Sequence, residues 1–203
     1  MASERWDERY SKSEFAYGTE PNDFLVSVAD RIPRGPVLML GDGEGRNGVF
    51  LASRGLQVLA VDQSAIGLAK ARQLASERGV RLRTEQADLR DYPIQPCAWT
   101  GIVSIFCHLP PSIRAPLHAA VVRGLVHGGV FVLEAPVVRR IWRCCCRSTR
   151  LPPSWPDCSS SMPRRSSARF VKESTTRAWP RSYNCWRGVS PLNDALHLLL
   201  PLF

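Results

Sequence analysis

The sequence predicts an α/β fold, doubly wound about a mainly parallel sheet. Short apolar runs recur between residues 35 and 134, each bounded by Gly, Asp or Pro. Segments with helical spacing and helix-stopping glycines separate them. A glycine-rich loop, GDGEGRN, follows the first apolar run and opens the first of these helical segments. Strands that alternate with helices pair in parallel through right-handed crossovers.

Before Gly35, the polar and aromatic segment predicts one or two helices. PVLMLG (36–41) is a buried strand ended by Gly, and RNGVFLASRG (46–55) a helix stopped by Gly55. LQVLAVD (56–62) is the second strand. In QSAIGLAKARQLASERGV (63–80), Ser64 is the expected N-cap, and Ile66, Ala69, Ala71, Leu74 and Ala75 recur at near-helical spacing before Gly79. VRLRTEQAD (80–88) is a weaker alternating strand, and TGIVSIF (100–106) is rich in β-branched residues. PSIRAPLHAAVVRGL (111–125) reads as a helix that Pro116 should bend or start late. GGVFVLEA (128–135) is the fifth strand. The expected organisation is a helical lead-in over 1–35, a core over 36–135 and a tail over 136–203.

The tail reads differently. The chain carries a net charge of +9. Residues 1–134 hold 15 basic and 15 acidic side chains, so the whole excess lies beyond them, and 11 of the 12 basic residues there are Arg. Four of six Trp and five of seven Cys also fall in this part, with no sustained 2.0 or 3.6 period. Such an Arg, Pro, Ser, Cys and Trp bias is what a GC-rich gene yields in a shifted frame. The tail is therefore expected to be out of frame from near Ala135, with a disordered basic tail as the alternative. The longest apolar stretch near the end, ALHLLLPLF, is far short of the roughly 20 residues of a membrane span. The start, MASERWDERY, has no apolar signal core. Seven cysteines without C-x-x-C spacing are expected as reduced thiols in the cytoplasm. Cys144, Cys145 and Cys146 lack a second pair at metal-ligand spacing, and no metal is expected.

The glycine loop carries the chemistry. In an open α/β sheet, ligands bind beyond the carboxyl ends of the strands. Gly41 and Gly43 suit a tight turn that approaches a ligand closely, and Gly45 a close helix entry. GEGRNG (43–48) formally fits a dinucleotide loop, with Asp62 about 20 residues on. Asp42 and Glu44 argue against it, because carboxylates would lie beside a pyrophosphate. S-adenosylmethionine has a sulfonium and an ammonium in place of phosphates, so loop acids favour it. Asp62, closing the second strand, suits both ribose hydroxyls. Asp88 in ADLRDY suits the adenine amino group, with Leu89 against the ring.

LMLGDGEGRN, LAVDQS, ADLRDY, IVSIFCHLP and GGVFVLEA, in that order, resemble the class I S-adenosylmethionine-dependent methyltransferases. The likeness is to the bacterial tellurite-resistance and thiopurine-type group, and the lead-in WDERYSKSEFAYGTEPNDFLV is similar too. The resemblance covers about residues 5–135. It implies a Rossmann-like sheet of seven strands, order 3-2-1-4-5-7-6, of which this chain is expected to keep 3-2-1-4-5 and to lack the final strand pair, leaving strand five as an exposed edge. The expected donor-binding set is Gly41, Asp42, Gly43, Gly45, Asn47, Asp62, Gln63, Asp88, Leu89 and Tyr17, with Tyr17 and Phe24 as lid and Trp6 and Phe15 as packing. His108 in FCHLPP is the catalytic candidate, and Cys107 a buried thiol. The expected function is methyl transfer to a small acceptor, such as a soft sulfur, selenium or tellurium nucleophile, impaired by the tail. The alternatives are a nucleic-acid binder using the tail, or a NAD-type dinucleotide-binding protein.

Overall fold

The computed structural model describes residues 2–136 and 138–144. Two short helices lead in, α1 (Ala2–Tyr10) and α2 (Asp23–Val28), and a 3₁₀ turn follows at Ala29–Arg31. Then come β1 (Pro36–Leu40), α3 (Arg46–Ser53), β2 (Gln57–Asp62), α4 (Ala65–Glu77), β3 (Arg83–Gln86), β4 (Trp99–Ile105), α5 (Pro111–Gly124), β5 (Leu125–Ala135) and β6 (Val138–Arg143). The strands form one sheet in the order β3-β2-β1-β4-β5-β6. The first five run parallel, as the sequence predicts.

Alternate residues of each central strand face opposite layers. Leu38 and Leu40 of β1, Leu59 and Val61 of β2, and Phe131 and Leu133 of β5 pack with Leu117 and Val121 of α5. Val37, Met39, Val58, Ala60, Val103 and Val132 meet Leu25 and Val28 of α2, Leu51 of α3 and Leu68 of α4. Burial on both faces explains why the central strands read as continuous apolar runs. β3 is short, polar and largely exposed, which suits an edge.

Local signals act as expected at α4. The Ser64 hydroxyl accepts the Gly67 N–H at 3.0 Å and caps the helix. Pro116 does not delay α5, which runs unbroken from Pro111. The proline removes the bond to the Ser112 carbonyl, but both residues lie on the exposed side.

The expected bare edge at strand five is corrected. β6 pairs antiparallel with β5 from Ala135↔Val138 to Val130↔Arg143. Trp142 is buried and stacks on Phe131, with ring centroids 5.3 Å apart. An open strand edge offers a row of unpaired N–H and C=O groups, and a hairpin partner satisfies them locally whatever its wider sequence. Cross-strand aromatic pairing adds roughly 0.5–1.5 kcal/mol beyond the buried area. Arg139, Arg140 and Arg143 of β6 are exposed. The reading of the rest of the tail, residues 145–203, lies outside the described residues.

Candidate functional site

The site forms beyond the carboxyl ends of β1, β2 and β4. After Leu40 the chain enters three left-handed glycines, Gly41, Gly43 and Gly45, with φ of 66°, 57° and 86°. Two acids then hold the loop by its backbone. Asp62 Oδ2 accepts the Gly43 N–H at 2.9 Å, while its Oδ1 accepts the Ser64 N–H at 2.8 Å. Asp42 Oδ1 accepts the Gly48 N–H in the first turn of α3, at 3.2 Å. The missing Cβ atoms face protein rather than cavity. A Cβ on Gly41 would meet Cys107 Sγ at 2.6 Å, one on Gly43 the Tyr10 hydroxyl at 2.5 Å, and one on Gly45 Ala71 Cβ at 2.5 Å. On the side of Gly43 where a Cβ would stand, Tyr10 takes the space.

This arrangement is hostile to phosphate. Two of the backbone donors that a pyrophosphate could use at the loop and helix start, Gly43 and Gly48, are already occupied by the protein's own carboxylates. The contribution of Glu44 differs from the sequence argument. Its Oε1 pairs with Lys70 Nζ at 2.7 Å, and its Oε2 accepts the Ala16 N–H at 2.7 Å, so its charge is spent within the protein. The unbalanced acids are Asp42 and Asp62, both buried. Asp42 Oδ2 is buried with no hydrogen-bond partner. Burial pushes Asp42 up to about 7, with the Asp62 charge adding to the effect and the Gly48 N–H opposing it. Asp62 is also raised, chiefly by burial.

Asp42 therefore links stability to pH. An acid whose folded pKa exceeds its unfolded value, 3.8, contributes stability that is full below about pH 4 and lost as pH rises through about 7. Within that window the slope from this group is about 1.4 kcal/mol per pH unit. Asp42→Asn keeps an oxygen for Gly48 and removes the titration. Urea unfolding at pH 5 and pH 7 should show wild type losing about 2–3 kcal/mol relative to the variant. Parallel stabilities at the two values would sink this assignment.

A cavity of about 390 Å³ opens over the loop, within the usual range for small-molecule sites. Of the predicted donor set, Gly41, Asp42, Asn47, Asp62, Gln63, Asp88, Leu89 and Tyr17 line it, while Gly43 and Gly45 do not. Asp88 is exposed and uses one oxygen on the Arg90 N–H, at 2.8 Å. Asn47 Oδ1 accepts the Asn22 N–H at 2.9 Å. Beyond β4, Ile105, Phe106, Cys107, His108 and Leu109 form the opposite wall. Burial pushes the Cys107 thiol up to about 12, aided by the Asp62 charge, so it is a neutral packing group. Phe106 has φ 49° and is 40% exposed, although the strand before it is buried. A left-handed aromatic residue is strained by about 1–2 kcal/mol, and such strain gathers at functional sites.

The lead-in closes the remaining side, with two departures from expectation. Trp6, read as packing, lines the cavity together with Tyr10. The two rings stack at 5.7 Å, and their i, i+4 spacing in WDERY was the available signal. Phe24, read as a lid, instead packs on the α2 side of the sheet with the Arg139 guanidinium 6.0 Å over its ring. Burial and the nearby acids Asp62 and Glu44 raise the Tyr10 pKa, which keeps the phenol neutral. Asp7 Oδ1 accepts the Ser64 hydroxyl at 2.5 Å, tying α1 to α4. Phe15 packs beside Val49, Leu74 and Ala75, as expected.

Comparison with known proteins agrees with this geometry. Residues 37–129 match the sequence model of a family described as a methyltransferase domain. A solved structure associated with conversion of a disulfide bond into a thioacetal group during echinomycin biosynthesis superposes with a TM-score of 0.57 at 21% identity, covering 64% of this chain and 57% of that one. The CcbJ methyltransferase of Streptomyces caelestis gives 0.52 at 23%, covering 62% and 53%. The PH0226 protein of Pyrococcus horikoshii gives 0.50 at 25%, covering 54% of each chain. The chain thus spans little more than half the length of these proteins. No curated protein sequence matches it significantly. Residues 37–129 thus resemble a methyltransferase domain, and the strand order is that of a Rossmann-like, doubly wound fold. Among the described residues no helix is long and apolar enough to cross a membrane, and no group of three His, Cys, Asp or Glu side chains could hold a metal.

Proposed function

We propose that this chain moves a methyl group from S-adenosylmethionine to a small acceptor with a soft nucleophilic atom, such as a thiolate or selenite. The observation that carries the donor reading is the buried, phosphate-hostile acid pair at the glycine loop. Asp42 Oδ2 is unpartnered, and the Asp62 carboxylate, held by the Gly43 and Ser64 N–H groups, has roughly four lone-pair sites in all. These residues fit a ligand with cationic groups and a ribose. When bound, the donor supplies an electrophilic methyl carbon on a sulfonium.

The residues of the chain divide the remaining work. Asp62 would orient the ribose, and Asp88 with Leu89 would take the adenine. Ile105, Phe106 and Leu109 exclude water from the acceptor side. His108 stands on that wall and would orient the acceptor or take a proton from it. A soft anion needs little general base, so alignment is the main demand.

Calorimetric titration with S-adenosylhomocysteine tests the donor, with saturable binding at one site per chain expected. A labelled donor offered with selenite and with benzenethiol tests the acceptor class. Absence of saturable binding sinks the donor reading. Binding without transfer to either acceptor sinks the soft-nucleophile reading.

A further inference from the structure

We propose that Glu44 is a positioning residue, the acidic half of a latch that holds residues 11–22 as a strap over the cavity and must open for the donor to exchange. The proposal rests on the donor reading above. Between Tyr10 and Leu25 no residue of the strap is buried. Phe15 packs beside Val49, Leu74 and Ala75, and the rest of the strap's placement rests on polar contacts.

Apart from an exposed Arg78–Glu20 ion pair at 3.0 Å, those contacts centre on one short motif and the lysine paired with it. Glu44 is 4% exposed at its side chain, and its two oxygens meet Lys70 Nζ and the Ala16 N–H, each at 2.7 Å. Lys70 Nζ also donates to the Glu14 carbonyl at 2.7 Å and lies 5.1 Å from the centre of the Phe15 ring. Arg46 donates to the Tyr17 carbonyl at 3.1 Å, and Asn47 accepts from the Asn22 N–H at 2.9 Å. Three side chains of EGRN thus reach back to strap backbone. The strap in turn brings Tyr17 and Gly18 to the cavity wall.

Charge-assisted hydrogen bonds that are nearly dry are strong, yet here they are few. A segment held by few contacts opens locally at a free energy well below that of global unfolding. Glu44 lies at the pivot, since it alone touches both the cation on α4 and the strap. Glu44→Gln removes the charge and keeps the shape. Lys70→Met removes the cation and leaves the carboxylate unpaired.

The test uses the full chain and both variants. Amide hydrogen exchange at residues 14–18 should quicken about tenfold in each, with the amides of β1 and β4 unchanged. Stopped-flow binding of S-adenosylhomocysteine should show association and dissociation both accelerated, so that Kd moves less than either rate. A donor ligand would act differently, raising dissociation alone. Unchanged exchange at 14–18, or a faster dissociation with an unaltered association rate, overturns the latch while the donor reading stands. Failure of the unsubstituted chain to bind S-adenosylhomocysteine overturns the donor reading and the gating with it.

Discussion

Asp62→Ala is expected to weaken S-adenosylhomocysteine binding by about 1.5–3 kcal/mol, roughly 10- to 150-fold. The carboxylate closes β2 and is buried, and it already bridges the Gly43 and Ser64 N–H groups at 2.9 and 2.8 Å. Its remaining lone pairs are the ones proposed to take a ribose. The variant therefore loses the ligand contacts and also the clamp that shapes the loop. It should lose stability as well, by about 1–3 kcal/mol, because two backbone donors are left without their acceptor. Asp62→Asn should be nearly as poor a binder. An amide can accept one of the two N–H groups, but its own NH₂ must then face the other, donor against donor. Titration calorimetry and urea unfolding on the same samples check both effects. An unaltered Kd in Asp62→Ala would remove this residue from the site.

Gly45→Ala should cost about 3–4 kcal/mol of stability, near the top of the range for point substitutions. Two penalties combine. The backbone sits at φ 86°, where an L side chain is strained by about 1–2 kcal/mol. The new Cβ would also lie 2.5 Å from Ala71 Cβ and 2.7 Å from Ala71 Cα. Ala71 is fully buried in α4, so relief requires moving the helix rather than turning a side chain. Overpacking of that kind adds about 1–3 kcal/mol. Gly79→Ala is the control, since Gly79 has φ 65° but open space where its Cβ would stand. It should lose only about 1 kcal/mol. Equal losses at the two positions, measured by urea midpoints, would show that α3 and α4 can separate freely at Gly45.

Much of this architecture was legible in the sequence because its signals are local. The apolar runs at 36–41, 56–62 and 100–106 could only be buried strands, and Ser64 could be read as a cap because an N-cap bond spans only three residues. The ligand class expected of the loop came from charge, since an unpaired acid beside a glycine turn repels phosphate. The positions of Asp42, Asn47, Asp62, Gln63, Asp88, Leu89 and His108 on one cavity follow from the rule that parallel strands deliver their carboxyl ends to one edge.

Tertiary structure decided what those residues do with their side chains. Glu44 reads as a cation-facing acid, but Lys70, 26 positions away, neutralises it. Trp6 and Tyr10 become cavity wall only because α1 docks on α4 through Asp7 and Ser64, 57 positions apart. The three loop glycines are bare toward Cys107, Tyr10 and Ala71, neighbours that no local pattern identifies. β6 is the clearest case. VRRIWR has no strand alternation, yet the open side of β5 pairs with it from Val130 to Ala135, and Phe131 supplies a ring for Trp142. Periodicity reports which face of an element is apolar. Pairing with a strand edge depends on backbone groups that every residue except proline carries in full, and so it leaves little trace in the order of side chains.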